Sequence, residues 1–60
     1  MPIVQVEIMP RTTEQKRAMA KEVTDAICRT LNCPKEAVSI IIREMAEDQY
    51  AIAGILHGDK

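Results

Sequence analysis

The sequence predicts an α/β fold: a single βαβ unit with two parallel strands, followed by a short C-terminal hairpin. Three segments support this prediction: an alternating apolar segment at the start of the chain, an amphipathic helical segment after it, and a β-branched segment around residue 40. A helix of this size between two strands makes the strands parallel and the crossover right-handed. No linker or repeat divides the 60 residues, so residues 1–60 are expected to form one domain.

The first strand is predicted over residues 3–9. Val4, Val6 and Ile8 alternate with polar residues, and this period of two is typical of a half-buried strand. Pro10 ends the strand because proline cannot donate a hydrogen bond to a sheet ladder. Residue 11 is then expected to lie in a turn.

The helix is predicted over Thr13–Leu31. Thr12 and Gln15 fit a capping box, in which each side chain accepts a hydrogen bond from the other residue's backbone amide. Apolar residues then recur at spacings of three and four, so one face of the helix is expected to pack and the other to be solvated. Asn32 and Pro34 end the helix, because proline cannot continue it.

The second strand is predicted over residues 38–45, after a short turn at residues 35–37. This segment is rich in β-branched residues and contains three consecutive isoleucines, so we expect a strand that is mostly buried. Residues 46–60 include Tyr50, the single aromatic residue, and Gly54. This last segment is expected to form a loop and a small hairpin.

The short chain predicts self-association. A domain of this length buries only about 60% of the surface that its unfolded chain exposes, and it usually needs disulfides, a metal or a partner subunit. Cys28 and Cys33 could close one very short loop, but no secretory signal is present, so we expect free thiols and a cytoplasmic protein. With His57 as the single histidine, no zinc site is expected. The predicted state is a homo-oligomer without metal or cofactor.

The charge pattern excludes two classes of partner. The formal net charge is −1, with eight basic residues scattered among nine acidic ones, so no basic surface is expected to bind nucleic acid. The most apolar stretch is the three-residue run Ile40–Ile42, far shorter than the roughly 20 residues of a membrane-spanning helix. We therefore expect neither a nucleic-acid partner nor a membrane.

The chemistry of the chain points to its second residue. The sequence has no glycine-rich phosphate loop, no Ser or Cys near a His, and no dense carboxylate cluster. Removal of Met1 would leave Pro2 with a free secondary amine, which titrates near 8 when unperturbed and lower between apolar walls. Such an amine is a neutral general base at physiological pH. A Met-Pro start alone is a weak signal, because many proteins begin this way.

The sequence also resembles the 4-oxalocrotonate tautomerase family over nearly its whole length. The resemblance is found in Met1–Ile8, Arg11, the helix start Thr13–Lys16, Val23, Ala26–Ile27, Pro34, Val38, Ile41–Ile42, Glu44–Ala46 and Tyr50–Gly54. It implies a homohexamer of βαβ subunits in which an amino-terminal proline moves a proton in a small unsaturated 2-oxo acid. It also implies Pro2 as the base, Arg11 as the group that binds the substrate carboxylate, and an association with the catabolism of aromatic hydrocarbons.

The resemblance also suggests substrate contacts at three further positions. Tyr50 replaces the usual phenylalanine of the pocket wall and adds a hydroxyl group, which either donates a hydrogen bond to substrate or leaves the ring to serve subunit packing. Ser39 stands where well-studied members have a second arginine, so monocarboxylates are favoured over dicarboxylates. Arg43 lies on the same strand face, but about 13 Å further along. The connection before Arg11 is one residue shorter than in typical members.

Two other functions remain open at the sequence level. A hydratase-like or dehalogenase-like member of the same superfamily would use a protonated Pro2 and a carboxylate that activates water, for which Glu7 and Glu44 are the candidates. A noncatalytic, oligomeric carboxylate-binding or scaffolding protein would not use the amine. Retention of Met1 would favour this last function, because an amide nitrogen is not a base.

Overall fold

A computed structural model describes residues 1–59 of the chain. The elements follow the predicted order of strand, helix, strand and hairpin: β1 (Ile3–Ile8), α1 (Thr13–Leu31), β2 (Ser39–Glu44), β3 (Ala51–Ile52) and β4 (Ile55–Leu56). Three single 3₁₀ turns lie at Lys35–Ala37, Glu47–Gln49 and His57–Asp59. The predicted bounds of the helix are confirmed, and both strands are slightly shorter than predicted.

The two long strands form a parallel pair in the predicted βαβ arrangement. Ile3 is opposite Ser39 at one end of the ladder, and Ile8 is opposite Glu44 at the other. The ladder continues past both ends, because the Ser39 amide donates to the carbonyl of the residue before β1 and the Met45 amide donates to the Ile8 carbonyl, at 3.0 and 2.9 Å. The entry and exit of both strands are therefore fixed by backbone hydrogen bonds.

Local signals at both ends of α1 explain its bounds. Thr12 Oγ1 accepts from the Gln15 amide at 3.1 Å, and Gln15 Oε1 accepts from the Thr12 amide at 3.2 Å, so the predicted capping box is confirmed. At the other end, Asn32 adopts the left-handed conformation, with φ 55° and ψ 55°. This conformation ends a helix by turning the chain away from its axis.

The helix covers one face of the sheet. Val4, Val6 and Ile8 on β1 are half-buried, as are Ile40 and Ile42 of β2, which the parallel register places on the same face. The other face carries exposed residues from both strands: Ile3, Gln5, Glu7, Ile41 and Arg43. The prediction of a mostly buried second strand is therefore wrong for the isolated subunit, because one helix covers only one of the two faces.

The isolated subunit has no closed hydrophobic core. Within residues 1–59 no side chain is fully buried, and the radius of gyration is 14.6 Å, against about 10 Å for a compact domain of this length. Large apolar side chains are exposed over the uncovered face, the hairpin and the helix end: Met1, Ile3, Leu31, Ile41, Tyr50, Ile52, Ile55 and Leu56. Apolar surface of this kind is typical of protein–protein contacts. Within the same residues, no helix has the length and apolar composition that crossing a membrane requires.

The C-terminal hairpin turns on two residues with positive φ. Ala53 has φ 55° and Gly54 has φ 82°, and two consecutive positive values define the tight turn that suits the twist of a hairpin. Glycine adopts this conformation without steric cost, and nothing lies within 4 Å of the place where a Cβ on Gly54 would stand. Backbone conformation therefore explains this glycine better than close packing does.

The capping box predicts a measurable contribution to stability. Thr12→Ala removes the acceptor of the Gln15 amide and should lower the free energy of unfolding by about 1 kcal/mol. Urea denaturation at a fixed subunit concentration measures this change. Thr13→Ala is the matched control, because Thr13 is exposed in the first turn and alanine favours helix, so its effect should stay within about 0.5 kcal/mol. Equal losses in the two variants would contradict the capping role.

Candidate active site

Pro2 stands at the amino end of β1, next to the start of β2. Its carbonyl accepts the Ser39 amide hydrogen bond of 3.0 Å, and its side chain is half-buried. Met1 is 88% exposed. The strand pairing therefore holds the Pro2 backbone at the sheet end, while the preceding methionine projects into solvent.

Ser39 is the nearest of the other predicted site residues to Pro2. It pairs with Ile3 in the parallel register and lies on the face that the helix leaves uncovered. Arg43 follows four residues later on β2, opposite Glu7, and is exposed. At about 3.3 Å per residue, Arg43 is about 13 Å from Ser39 along the strand, so the structure does not bring the two together.

Arg11 is held at the opposite end of the sheet. Its backbone amide donates to Glu44 Oε2 at 3.0 Å, and Lys16 Nζ donates to the same oxygen at 3.1 Å. These two contacts tie the turn after β1 and the first part of α1 to the end of β2. Within residues 1–59 the Arg11 guanidinium has no carboxylate within 4.0 Å, so it remains available for an external anion.

These hydrogen bonds change the acidity of Glu44. The pKa of Glu44 is held below its ordinary value of 4.5, first by the hydrogen bond from the Arg11 amide and then by the one from Lys16. Partial desolvation acts in the opposite direction and is outweighed. Glu44 is thus a stable carboxylate at neutral pH, with its Oε2 atom already engaged by two donors.

A groove of about 220 Å³ lies beside this cluster. Its lining combines two cations, one amide side chain and two apolar side chains: Arg11, Lys16, Gln15, Ile8 and Met19. A groove lined by both cations and apolar side chains suits a small organic carboxylate. A second groove, of about 360 Å³ near the hairpin, is lined by Glu47, Asp48, Asp59, Leu56 and Gly58, and its three carboxylates would repel such an anion.

The predicted base and the predicted carboxylate-binding residue lie at opposite ends of β1. Pro2 precedes the strand and Arg11 follows it, and six residues of strand span about 20 Å. This distance is far beyond the reach of one arginine side chain. One subunit therefore does not contain a site in which Pro2 and Arg11 contact the same small molecule.

Tyr50 lies just before the hairpin and is 38% exposed. Its ring centroid is 6.0 Å from that of His57, and its carbonyl accepts the His57 amide at 2.8 Å. Within the described part of the chain, Nδ1 of His57 is buried without a hydrogen-bond partner. These contacts fix the position of Tyr50 relative to the hairpin, and they leave part of its ring open.

Sequence reasoning did not anticipate the roles of Lys16 and Glu44 at Arg11. The sequence places Lys16 at the helix start without a partner and offers Glu44 only as a candidate for activating water. The signal that could have found them is the parallel pairing itself, because it places the carboxyl ends of β1 and β2 side by side. Among residues 1–59, no three His, Cys, Asp or Glu side chains are placed to hold a metal ion.

Comparison with known proteins identifies the family. Residues 2–60 match the family model described as tautomerase enzyme. A probable tautomerase of Bacillus cereus is 41% identical over 61 residues and is matched over 100% of both chains. A probable tautomerase of Streptococcus pneumoniae serotype 4 is 47% identical over 51 residues, which cover 83% of this chain and 85% of that protein.

A solved structure supports the same assignment at the level of the fold. The crystal structure of YwhB, a homologue of 4-oxalocrotonate tautomerase, matches with a TM-score of 0.93 and 38% identity over 98% of each chain. The βαβ subunit with its small hairpin therefore has the fold of a tautomerase. The chain belongs to the 4-oxalocrotonate tautomerase family.

The lowered pKa of Glu44 predicts a pH-dependent contribution to stability. A carboxylate whose folded pKa is lowered stabilises the fold above its unfolded pKa, and this contribution is lost as the pH falls through the folded pKa. Glu44→Gln should therefore lower the melting temperature at neutral pH. Its deficit relative to wild type should shrink below about pH 4.5 and disappear once the wild-type carboxyl is protonated.

Thermal unfolding followed by circular dichroism from about pH 7 to about pH 3 measures this dependence. Glu14→Gln is the matched control, because Glu14 is 91% exposed and its one ion pair, with Arg17, is 3.7 Å long. Such exposed pairs contribute little to stability. Parallel curves for Glu44→Gln and wild type across the whole range would contradict the role assigned to Glu44.

Proposed function

We propose that this protein is a tautomerase of small unsaturated 2-oxo or 2-hydroxy acids, with the amine of Pro2 as general base and Arg11 as the carboxylate-binding group. One observation carries the proposal: the Ser39 hydrogen bond fixes Pro2 at the end of the sheet, next to a Met1 that is 88% exposed. An exposed methionine is accessible to an aminopeptidase. Its removal would leave a secondary amine whose position the strand already determines.

The reaction needs a base that is neutral at physiological pH. An α-amino group titrates near 8, and apolar surroundings disfavour its charged form. The surface next to Pro2 carries exposed apolar side chains, among them Ile3 at 57% and Ile41 at 39% exposure. Covering these side chains with a neighbouring subunit would desolvate the amine and bring its pKa closer to the working pH.

The proposed site is shared between subunits. Because β1 separates Pro2 from Arg11 by about 20 Å, the carboxylate-binding group must come from another copy of the chain. The uncovered sheet face and the exposed hairpin supply the apolar surface for such an assembly. We propose a homohexamer in the cytoplasm, in agreement with the resemblance to hexameric members of the family.

The residues around the proposed site favour a substrate with one carboxylate. Arg11 supplies a planar guanidinium that can bind a carboxylate through two hydrogen bonds. Ser39, beside Pro2, is neutral and cannot bind a second carboxylate as an ion pair. Tyr50 is a candidate for the pocket wall, where its hydroxyl could donate a hydrogen bond. We expect monocarboxylates to react better than dicarboxylates.

Two alternatives to a tautomerase are a hydratase-like enzyme, which needs a carboxylate that activates water, and a noncatalytic scaffold, which does not need removal of Met1. For the hydratase-like reaction, the hydrogen bonds from Arg11 and Lys16 that lower the pKa of Glu44 make it a weaker base for this task. A noncatalytic scaffold is favoured in the form that retains Met1, because the Pro2 nitrogen is then an amide. The state of Met1 in the purified protein therefore separates the scaffold from the enzyme.

The first prediction of this proposal concerns Pro2. Protein verified by mass to lack Met1 should tautomerise an enol 2-oxo acid such as phenylenolpyruvate, measured by ultraviolet absorbance. Pro2→Ala should lower kcat/KM about 100-fold or more, because a mobile primary amine replaces a secondary amine held by its ring. Pro10→Ala is the matched control, because Pro10 is exposed in the turn after β1. Equal activity of wild type and Pro2→Ala, with intact assembly, would exclude Pro2 as the base.

The second prediction concerns the sharing of the site. Pro2→Ala and Arg11→Ala should each be nearly inactive when assembled alone. When the two are unfolded and refolded together in equal amounts, about a quarter of the sites should contain one intact Pro2 and one intact Arg11 from different chains. Activity should then recover to about a quarter of the wild-type rate. If the mixture remains as inactive as its components, Pro2 and Arg11 do not meet across a subunit boundary.

A further inference from the structure

The two cysteines of the chain lie at the end of α1. The Asn32 amide donates to the Cys28 carbonyl, and the Cys33 amide donates to the same carbonyl at 3.3 Å. With Asn32 in the left-handed conformation, this 6→1 hydrogen bond is that of a Schellman helix cap. In such a cap, the side chains of the first and sixth residues frequently lie in contact, and here these residues are Cys28 and Cys33, whose thiols are hydrogen-bond neighbours.

Both cysteine backbones are held in place. Cys28 lies within the last turns of the helix, and Cys33 precedes Pro34, which restricts it to an extended conformation. Both thiols are free and half-buried. The contact between them therefore follows from the helix cap itself and does not depend on a mobile loop.

The surroundings of Cys28 lower its acidity. The pKa of the Cys28 thiol is raised above its ordinary value, first by desolvation and then by the neighbouring Cys33 thiol, which acts on it both as a charge and as a hydrogen-bond partner. A thiol with a raised pKa is a poorer nucleophile at neutral pH, because the thiolate is the reactive form. Cys28 is therefore a poor first nucleophile, so we assign the first attack to Cys33 and the second to Cys28.

We propose that Cys28 and Cys33 form a reversible disulfide within one subunit, by exchange with a low-molecular-weight disulfide such as oxidised glutathione. The Cys33 thiolate attacks one glutathione sulfur, forms a mixed disulfide and releases one glutathione thiolate. The Cys28 thiolate then attacks the Cys33 sulfur and releases the second glutathione thiolate. The protein loses two electrons and two protons, and one glutathione disulfide becomes two glutathione thiols.

The disulfide would link the helix to the strand that holds Pro2. Cys33 leads through the turn at Lys35–Ala37 into β2, and Ser39, the first residue of β2, donates the backbone hydrogen bond to Pro2. A bond between Cys28 and Cys33 fixes the start of this connection to the end of α1. The proposal rests on the geometry of the helix cap, and its test does not require tautomerase activity.

The experiment uses the fully reduced, assembled protein, incubated with oxidised glutathione and quenched with acid. Intact mass should fall by about 2 Da per chain, without bound glutathione. Trypsin cleavage at the Lys and Arg residues around both cysteines should then yield the peptides Glu22–Arg29 and Thr30–Lys35 joined by a disulfide. Dithiothreitol should restore both thiols.

Two single variants test the order of the steps. Cys28→Ser should stop at the mixed disulfide and retain one glutathione on Cys33, because no second thiol displaces it. Cys33→Ser should react with oxidised glutathione more slowly than Cys28→Ser, because Cys28 stays desolvated. If Cys33→Ser reacts as fast as Cys28→Ser or faster, Cys33 is not the first nucleophile.

The experiment on the wild-type protein tests by itself whether the disulfide forms. A chain that keeps glutathione on either cysteine would overturn the proposal. So would disulfide-linked dimers on a nonreducing gel, or two thiols that remain reduced while a small model thiol in the same solution is oxidised. These outcomes concern only the cysteines and leave the role of Pro2 unaffected.

Discussion

A two-stranded parallel sheet with one helix has one covered face and one uncovered face, and this constraint governs the rest of the structure. The helix shields Val4, Val6 and their neighbours, while Ile3, Ile41 and the hairpin remain in contact with water. Parallel strands also leave unpaired edges that a subunit of this size cannot cover with its own residues. The described part of the subunit therefore exposes a large apolar surface and has no closed core.

The same geometry separates the chemical groups. In a parallel pair, the amino ends of both strands lie together and so do the carboxyl ends, so Pro2 meets Ser39 while Arg11 meets Glu44. A site that needs both the proline amine and the arginine can form only where the amino end of one sheet meets the carboxyl end of another. Assembly would then complete the active site and also cover the apolar face. Formation of the site and burial of the apolar surface would therefore depend on the same subunit contacts.

The sequence predicted those features that depend on local signals. The bounds of α1 follow from the Thr12 cap and the Asn32 stop, both encoded within a few residues, and they agree with the structure. The burial of β2 was overestimated, because a run of β-branched residues does not reveal how many faces of a sheet are covered in one subunit. Pro2 was predicted from the Met-Pro start together with the family resemblance and Arg11 from the resemblance, and the roles of both stay predictions. The contacts of Glu44 were not found, because they depend on the strand register.

The contact that Glu44 makes with Arg11 leaves the guanidinium of Arg11 free. Glu44 accepts from the backbone amide of Arg11 and takes its second hydrogen bond from Lys16. If the carboxylate bound the guanidinium instead, it would occupy the group that a substrate carboxylate needs, and a ligand would first have to displace it. By binding the amide, Glu44 fixes the position of the residue, and Lys16 balances its charge. Of the two cations that line the adjacent groove among residues 1–59, Arg11 is therefore the one whose side chain does not bind Glu44.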